Sequence, residues 1–192
     1  MQPQKLRANF SFLSTWASGD WNRAIEGYFK LKTFTTPQME AGKDFHKKWE
    51  DATKETGYLP KVFGDVKISN PLTELYSVVE LDDWLLLSGV VDCYDPDFGV
   101  IYEYKTGKQS SEAYANTKQP AVYALLLTES GHKPRKIEIH HYDQYKNKSD
   151  MSIVWVTPQL IADGLEWVTS LGAEAHNYFV TNSLYEKYGH LK

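Results

Sequence analysis

Cysteine is almost absent from this 192-residue sequence, in which Cys93 is the only one. A single cysteine excludes a disulfide within the chain, and it excludes zinc or iron–sulfur sites that need several thiolates. Because Cys93 directly follows Asp92, where a predicted strand ends, its side chain is expected to point away from Asp92. We therefore interpret Cys93 as a buried structural thiol rather than as a nucleophile.

Long apolar runs are missing as well. No segment approaches the roughly 18 consecutive apolar residues of a transmembrane helix, and residues 1–5 lack the apolar core of a signal peptide. We expect a protein without a membrane partner, located in the cytoplasm or, if phage-encoded, in the host cytoplasm. Repeats and Gly/Ser-rich linkers are also lacking, and 42% of the residues are hydrophobic. This composition predicts one folded domain over residues 1–192.

The sequence has no excess of positive charge, since 21 Lys and Arg residues face 25 Asp and Glu residues, for a net charge of −4. Such a protein has no global attraction to nucleic acid, which argues against a pure DNA-binding module. Binding of nucleic acid would depend on local patches and on a bound cation that offsets clustered carboxylates.

The most informative stretch lies in the middle of the chain and predicts strand, turn and strand. Residues 95–99, Asp-Pro-Asp-Phe-Gly, predict a hairpin turn that brings Asp92 beside Glu103. Since side chains alternate along a strand, Glu103 and Lys105 share one face and Tyr104 lies on the other. Paired carboxylates beside a lysine suit Mg²⁺ or Mn²⁺ and phosphodiester hydrolysis. The same residues also occur on ordinary solvated hairpins, so this pattern alone leaves both interpretations open.

A helix predicted over residues 111–127 places Gln119 and Tyr123 on one face, because they are four residues apart. Taken together, the sequence resembles the PD-(D/E)XK nucleases, and within them the RecB-like branch that carries a Gln-x-x-x-Tyr helix. The resemblance rests on three segments in this order: Gly89-Val90-Val91-Asp92, Glu103-Tyr104-Lys105-Thr106-Gly107-Lys108 and Gln119-Pro120-Ala121-Val122-Tyr123.

The resemblance also implies an upstream helix that carries a metal-binding histidine. His46, in the helical pattern of residues 42–50, matches that position. Without the downstream segments, His46 would be interpreted as a surface histidine on a lysine-rich helix. With them, the metal-binding interpretation is favoured.

The implied fold is α/β, with a central mixed β-sheet flanked by helices and a restriction-endonuclease-like PD-(D/E)XK core. The order of predicted elements agrees with it. The implied activity is that of a divalent-metal-dependent deoxyribonuclease, and in particular an exonuclease on single-stranded DNA or DNA with free ends. A further protein partner in a replication, recombination or repair complex is also implied. The iron–sulfur cluster of some RecB-like nucleases is not expected, because its cysteines are missing.

The resemblance assigns a role to each site residue. The implied ligands of one or two Mg²⁺ or Mn²⁺ ions are His46, Asp92, Glu103 and the backbone carbonyl of Tyr104. Lys105 would act on a metal-bound water or offset charge on the phosphate. Gln119 would orient Lys105 or the phosphate, and Tyr123 would hold the substrate backbone or pack beneath the lysine.

Two other functions are compatible with parts of the sequence. The chain could retain the nuclease fold as a catalytically silent nucleic-acid-binding or scaffold protein, which the intact Asp92, Glu103 and Lys105 argue against. Nucleotide binding through residues 106–108 is discarded, because the glycine-rich loop of a P-loop is absent. His140 and His141 are expected to face opposite sides of a strand and to be structural.

Periodicity predicts the remaining elements. The chain should open with a helix capped by Ser11, and Glu80 is a supporting candidate for the metal site. The last dozen residues are expected to be loose. The other predicted elements are a helix from Pro37, strands over residues 73–81, 84–91, 135–145 and 151–156, and a closing helix from Pro158 to about Val180. The polar residues 146–150 predict a turn that joins the last two strands as a hairpin. The strand over residues 84–91 should be covered on both faces and end at Asp92.

Overall fold

The structure is a computed structural model that describes residues 4–189, except for the side chain of Gln38. A turn of 3-10 helix lies at Lys61–Phe63. The other elements follow in the order β1 (Leu6–Ala8), α1 (Phe10–Ala17), α2 (Trp21–Tyr28), α3 (Pro37–Thr56), β2 (Leu72–Asp82), β3 (Leu85–Asp95), β4 (Val100–Thr106), α4 (Ser111–Ala115), α5 (Gln119–Glu129), β5 (Lys136–Asp143), β6 (Lys148–Trp155), α6 (Pro158–Thr181) and α7 (Leu184–Tyr188).

The strands form one mixed sheet in the order β1-β3-β4-β5-β6, and β2 pairs with the other edge of β3. The pairs β1–β3 and β4–β5 are parallel, and the other pairs are antiparallel. Helices pack on both faces of the sheet. The predicted α/β fold with a central mixed sheet between helices is confirmed.

Strand β3 has two different neighbours along one edge. Its first residues pair with β1 as far as Leu87, and its last residues pair with β4 from Cys93 onwards. Within residues 4–189, no strand pairs with residues 88–92 on this edge. The sheet therefore has a gap between the end of β1 and the second half of β4, and Asp92 lies beside it.

Strand β3 is longer than predicted, because it continues three residues beyond Asp92 to Asp95. Acidic residues there were interpreted as a turn, but Asp95 is fully buried and its carboxylate accepts hydrogen bonds from the Ser69 and Asp97 amides (2.9 and 3.0 Å). The predicted hairpin turn follows directly, and the Gly99 amide donates to the Asp95 carbonyl (2.8 Å).

The prediction that the strand over residues 84–91 is covered on both faces holds except at Val90. Val90 is 44% exposed, and Tyr76, opposite it on β2, is 56% exposed. Helix α3 packs over the second half of this face, where Trp49 contacts the cluster that contains Cys93. Strand β1 was not predicted, because Leu6–Ala8 is too short to display an alternating pattern.

One face of the sheet is covered by α1, α5 and α6. Helix α6 lies so close to α5 that a Cβ atom on Gly164 would lie 2.5 Å from the carbonyl oxygen of Ala121. This close contact fixes α5 against the sheet, and the apolar residues of α5, such as Leu125 and Leu126, are fully buried. The N-terminus of α5 is thereby held next to β4.

The helix predicted over residues 111–127 is two helices, α4 and α5. The chain leaves the first helix at Asn116 and begins the second at Gln119. Pro120 explains the break, because proline has no amide hydrogen and its ring clashes with the carbonyl group four residues earlier, here that of Asn116.

Helix α3 begins as predicted. The Thr36 side chain accepts a hydrogen bond from the Met39 amide, and Gly57 ends the helix in the left-handed region at φ +70°. The cap predicted for α1 is wrong, since Asn9 rather than Ser11 accepts from the Phe12 amide (2.9 Å).

Two boundaries near the C-terminus differ from the predictions. Strand β6 begins at Lys148 rather than at residue 151, because residues 148–150, interpreted as a turn, continue the pairing with β5. The predicted hairpin of the two strands is confirmed. The loose end predicted for the last dozen residues is wrong over Leu184–Tyr188, where α7 packs through Tyr185 against Phe179. Residues 190–192 lie outside the described residues.

Candidate active site

The predicted site residues lie around the gap in the sheet, and Asp92 is the last residue of β3 beside it. Val91 and Tyr94 pack in the same cluster on the α5 side, although they are three residues apart, so the alternation of β3 is interrupted at this point. The paired strand β2 is irregular at the same place, where Glu74, opposite Asp92, has a positive φ of 46°. The Asp92 carboxylate accepts a hydrogen bond from the Tyr104 amide (2.7 Å). This side chain thus joins β3 to β4 where the two strands separate.

His46 reaches Asp92 from helix α3. The distance from its Nδ1 to Asp92 Oδ1 is 3.4 Å, and its ring stacks on Trp49. Burial disfavours the charged imidazolium, but the hydrogen bond to Asp92 and the charges of Asp92 and Glu103 outweigh burial. The pKa of His46 is therefore raised.

Glu103 is the most buried acid of the site. Its Oε1 accepts hydrogen bonds from Lys105 Nζ (2.7 Å) and Gln119 Nε2 (2.9 Å). Its Oε2 is buried and has no hydrogen-bond partner among the described residues. Burial, followed by the negative charge of Asp92, raises the pKa of Glu103 to about 7.

Lys105 lies beside Glu103 with 17% of its side chain exposed. Its Nζ is 5.3 Å from the ring centroid of Tyr114, which places the ammonium over an aromatic ring. Burial lowers the pKa of this ammonium, but Glu103, Asp92 and Tyr114 outweigh burial and raise it. Lys105 is therefore protonated at neutral pH.

Gln119 and Tyr123 share one face of α5, as predicted. Gln119, the first residue of the helix, donates to Glu103 rather than to Lys105, so the predicted contact with the lysine is not seen. Tyr123 lies one helical turn after Gln119 and is largely buried. Its ring packs against Gly89 of β3, where an added Cβ atom would be 3.7 Å from the ring. Burial, together with the charges of Glu103 and Asp92, raises the pKa of its hydroxyl group.

The predicted role of Tyr104 concerns its backbone. The N–H and C=O groups of one residue in an extended strand point to the same edge, and the Tyr104 amide points to Asp92. Its carbonyl is therefore expected on the edge that faces the gap. The side chain lies on the other face and contacts Trp49 and Phe63.

Within residues 4–189, no three His, Cys, Asp or Glu side chains are arranged as a complete metal site. Two observations nevertheless fit a cation. Burial and the nearby charge of Asp92 both disfavour the charged form of Glu103, and one Glu103 oxygen is buried without a hydrogen-bond partner among the described residues. A cation between such oxygens would satisfy both.

Sequence reasoning missed some residues around the site and misplaced others. Tyr114, beside Lys105, had no distinguishing pattern around it. Glu74 lies next to the site and its pKa is raised by a hydrogen bond with buried Glu50 and by burial. Glu80 was a supporting candidate for the metal site, but it lies away from Asp92. It is opposite Leu86 of β3, six residues before Asp92, and forms an ion pair with Lys5 (2.8 Å).

Cys93 agrees with its interpretation as a structural thiol. It is fully buried. Burial, followed by the charges of Asp95 and Asp92, raises the pKa of the thiol to about 12. A thiol with such a pKa carries almost no reactive thiolate at neutral pH.

Comparison with solved structures identifies the fold. The alkaline exonuclease LHK-Exo from Laribacter hongkongensis aligns over 97% of this chain and 95% of its own, with a TM-score of 0.59 and 12% identity. The fold is one that exonucleases use. The same enzyme in complex with dAMP aligns with a TM-score of 0.56 and 13% identity over the same shares.

A phage-related exonuclease from Haemophilus somnus 129PT aligns as well, over 86% of this chain and 82% of its own, with a TM-score of 0.53 and 11% identity. Identities this low establish a common fold and do not transfer residue roles. No protein-family model and no curated protein matches the sequence. The RecB-like branch stays a prediction. Among residues 4–189, no helix has the length and apolar character needed to cross a membrane.

Proposed function

We propose that this protein is a divalent-metal-dependent deoxyribonuclease that acts as an exonuclease on single-stranded DNA or DNA with free ends. One observation carries the proposal. In a fold that exonucleases use, His46 lies 3.4 Å from Asp92 beside one gap in the sheet. On the neighbouring strand, the Tyr104 amide donates to Asp92 (2.7 Å) and Lys105 donates to Glu103 (2.7 Å).

The proposed metal ligands are His46, Asp92, Glu103 and the Tyr104 carbonyl. Carboxylate and carbonyl oxygens are the ligands that Mg²⁺ and Mn²⁺ prefer, and an imidazole also suits Mn²⁺. The unpartnered Oε2 of Glu103 supports this assignment. The bound ion would supply a nucleophilic water and charge stabilisation at the phosphate.

Lys105 is proposed to offset the negative charge that develops on the scissile phosphate. The raised pKa keeps its ammonium protonated at neutral pH, so it acts as a fixed positive charge rather than as a general base. Its low exposure strengthens this effect, because electrostatic interactions are stronger where water is excluded.

Gln119 and Tyr123 are proposed to support the site from α5. The hydrogen bond from Gln119 fixes one oxygen of Glu103, which leaves the other oxygen directed elsewhere. Tyr123 lies one turn further along the same face, within reach of a substrate backbone at the gap.

The whole chain, residues 1–192, is proposed to form this one nuclease domain. Residues from both ends of the described chain pack in one cluster, in which Phe12 of α1 contacts Phe179 of α6.

The test is cleavage of end-labelled linear single-stranded DNA beside a covalently closed circle of the same sequence, with Mg²⁺, Mn²⁺ or EDTA. We expect the wild-type protein to degrade only the linear DNA, and only when metal is present. The Lys105→Ala variant should not degrade it. Lys108→Ala is the matched control, because Lys108 is exposed and lies over the ring of Tyr145 instead.

Other results would change the proposal. Cleavage of the circle as well would make the protein an endonuclease. If wild type binds metal and DNA but cleaves neither substrate, the catalytically silent scaffold replaces the exonuclease.

A further inference from the structure

Two buried histidines are neighbours on β5 but serve opposite faces of the sheet. His140 lies 3.0 Å from the Glu138 carboxylate and contacts the ring of Phe63. His141 lies on the face that carries α4, and in the parallel register of β4 and β5 it is opposite Lys105. The two therefore form a natural comparison, since only His141 is on the side of the proposed site.

Both ring nitrogens of His141 are engaged, and its side chain is 2% exposed. Its Nε2 is 2.8 Å from the Gly107 carbonyl, and because a carbonyl only accepts, this nitrogen donates. Its Nδ1 is 2.6 Å from Asp150 Oδ1. His141 thus joins the segment after β4 to strand β6.

Asp150 continues this connection. Its second carboxylate oxygen accepts a hydrogen bond from the Ser111 amide (2.7 Å), and the Ser111 hydroxyl is 2.8 Å from that of Ser152. The His141–Asp150 pair therefore holds residues 107–111 at both ends. Gly107, at φ +115°, and Ser111 are fixed to the β5–β6 hairpin.

Residues 107–111 are part of the segment between Lys105 and Tyr114. The Tyr114 ring centroid is 5.3 Å from Lys105 Nζ and 6.3 Å from the ring of His141. Glu103 contacts the same ammonium from the strand. The ammonium is thus placed between a carboxylate and an aromatic face, and the position of that face depends on how the connecting segment is held.

We propose that Tyr114 and the His141–Asp150 pair are positioning residues for Lys105. The pair fixes the segment between β4 and α4, α4 carries Tyr114 over the ammonium, and the ammonium is thereby held where the phosphate charge develops. This inference rests on the proposed nuclease function for its effect on rate, but not for the placement of the lysine.

The first test separates kcat from KM on end-labelled linear DNA with Mn²⁺. Misplacement of a catalytic group typically lowers the rate by about 10–100-fold, so Tyr114→Leu, His141→Gln and Asp150→Asn should each lower kcat by about that much. KM should change little, because a transition-state interaction is affected. Tyr114→Phe should retain most of the activity, since a phenylalanine ring also attracts a cation.

His140→Gln is the matched control, because it removes an equally buried histidine from the same strand on the other face. It should lower the melting temperature without lowering kcat. If His140→Gln lowers kcat as much as His141→Gln, the effect is general destabilisation and the inference is overturned.

The second test does not depend on activity. In protein with ¹³C-labelled lysines, the Lys105 signals are assigned through Lys105→Arg, and the ring current of Tyr114 should shift them from ordinary lysine positions. Tyr114→Leu, His141→Gln and Asp150→Asn should move them towards ordinary positions, whereas His140→Gln should not. Unchanged Lys105 signals in the His141 and Asp150 variants would overturn the inference. If wild type cleaves no DNA but the signals move as expected, the proposed function fails while the placement of Lys105 stands.

Discussion

The two carboxylates beside the gap are held by specific hydrogen bonds. Asp92 replaces a ladder hydrogen bond by accepting from the Tyr104 amide, and Glu103 receives both Lys105 and Gln119 on one oxygen. Each of these residues therefore has a structural partner as well as a proposed chemical role. Variants that keep the shape of the side chain are the ones that separate the two roles.

Asp92→Asn is such a variant. The amide oxygen of asparagine can still accept from Tyr104, so the fold should be retained, but the proposed carboxylate ligand is lost. We expect cleavage to fall by at least about 100-fold, since metal ligation and its charge are removed together. The rate of release of labelled nucleotide, beside a thermal melt of the same sample, measures both effects. Asp97→Asn, in the exposed turn, should cleave at the wild-type rate; residual activity in Asp92→Asn close to that control would contradict the assignment.

At the scale of elements, the sequence predicted most helices and strands but not their junctions. Thr36-Pro37 and the Asp95–Gly99 turn carry strong local signals, and both were predicted correctly. Strand β1 has only three residues, and it is a strand because it pairs with β3, which is distant in the sequence. The break before Gln119 was missed, although Pro120 indicates it. Pairings between distant segments decide such boundaries, and local patterns do not contain them.

The contact of α5 with α6 gives a prediction at this scale. Gly164→Ala would place a methyl group 2.5 Å from the Ala121 carbonyl oxygen, so the helices must separate. Overpacking of this kind costs about 1–3 kcal/mol in the free energy of unfolding. Gly27→Ala in α2 is the comparison, because nothing lies within 4 Å of its Cβ position, and it should stabilise the protein by roughly 0.5–1 kcal/mol. Urea unfolding of the two variants measures the difference; equal effects would show that the helices can move apart freely.

The link between α4 and β6 should depend on pH. Burial raises the pKa of Asp150, but its hydrogen bonds with Ser111 and His141 outweigh burial, so the pKa of the carboxyl is lowered in the folded protein. A lowered carboxyl pKa stabilises the fold above the unfolded value of 3.8, and this contribution is lost as the pH falls below it.

The difference in melting temperature between wild type and Asp150→Asn should therefore be constant from pH 7 to pH 5 and shrink towards pH 3. Calorimetric melts of both proteins across this range measure it. A difference that grows on acidification would show that the Asp150 carboxylate does not stabilise the folded state.

For the molecule as a whole, metal binding and stability should be linked. A ligand that binds the folded protein at about 100 times its Kd stabilises it by about 2.7 kcal/mol. Mn²⁺ should therefore raise the melting temperature of wild type, and EDTA should reverse the rise. Glu103→Gln should lose most of this response while remaining folded, because Gln can still fill the same space. An equal Mn²⁺ response in both proteins would place the ion elsewhere.

The candidate site itself was predictable only in part from the sequence. Asp92, Glu103 and Lys105 occupy one hairpin, and Gln119 follows on the next long helix, so their order indicated a shared site. Tyr114, His141 and Asp150 come together through contacts between α4, β5 and β6. No spacing within one element reports such a contact, because it depends on the packing of three elements at once.

The gap in the sheet has a consequence for hydrogen exchange. A strand in the middle of a sheet normally carries the slowest-exchanging amides of a domain. Strand β3 is paired on this edge before residue 88 and after residue 92, but not between them among residues 4–189. The amides of this stretch that point into the gap should therefore exchange faster than the amides of β3 on either side of it.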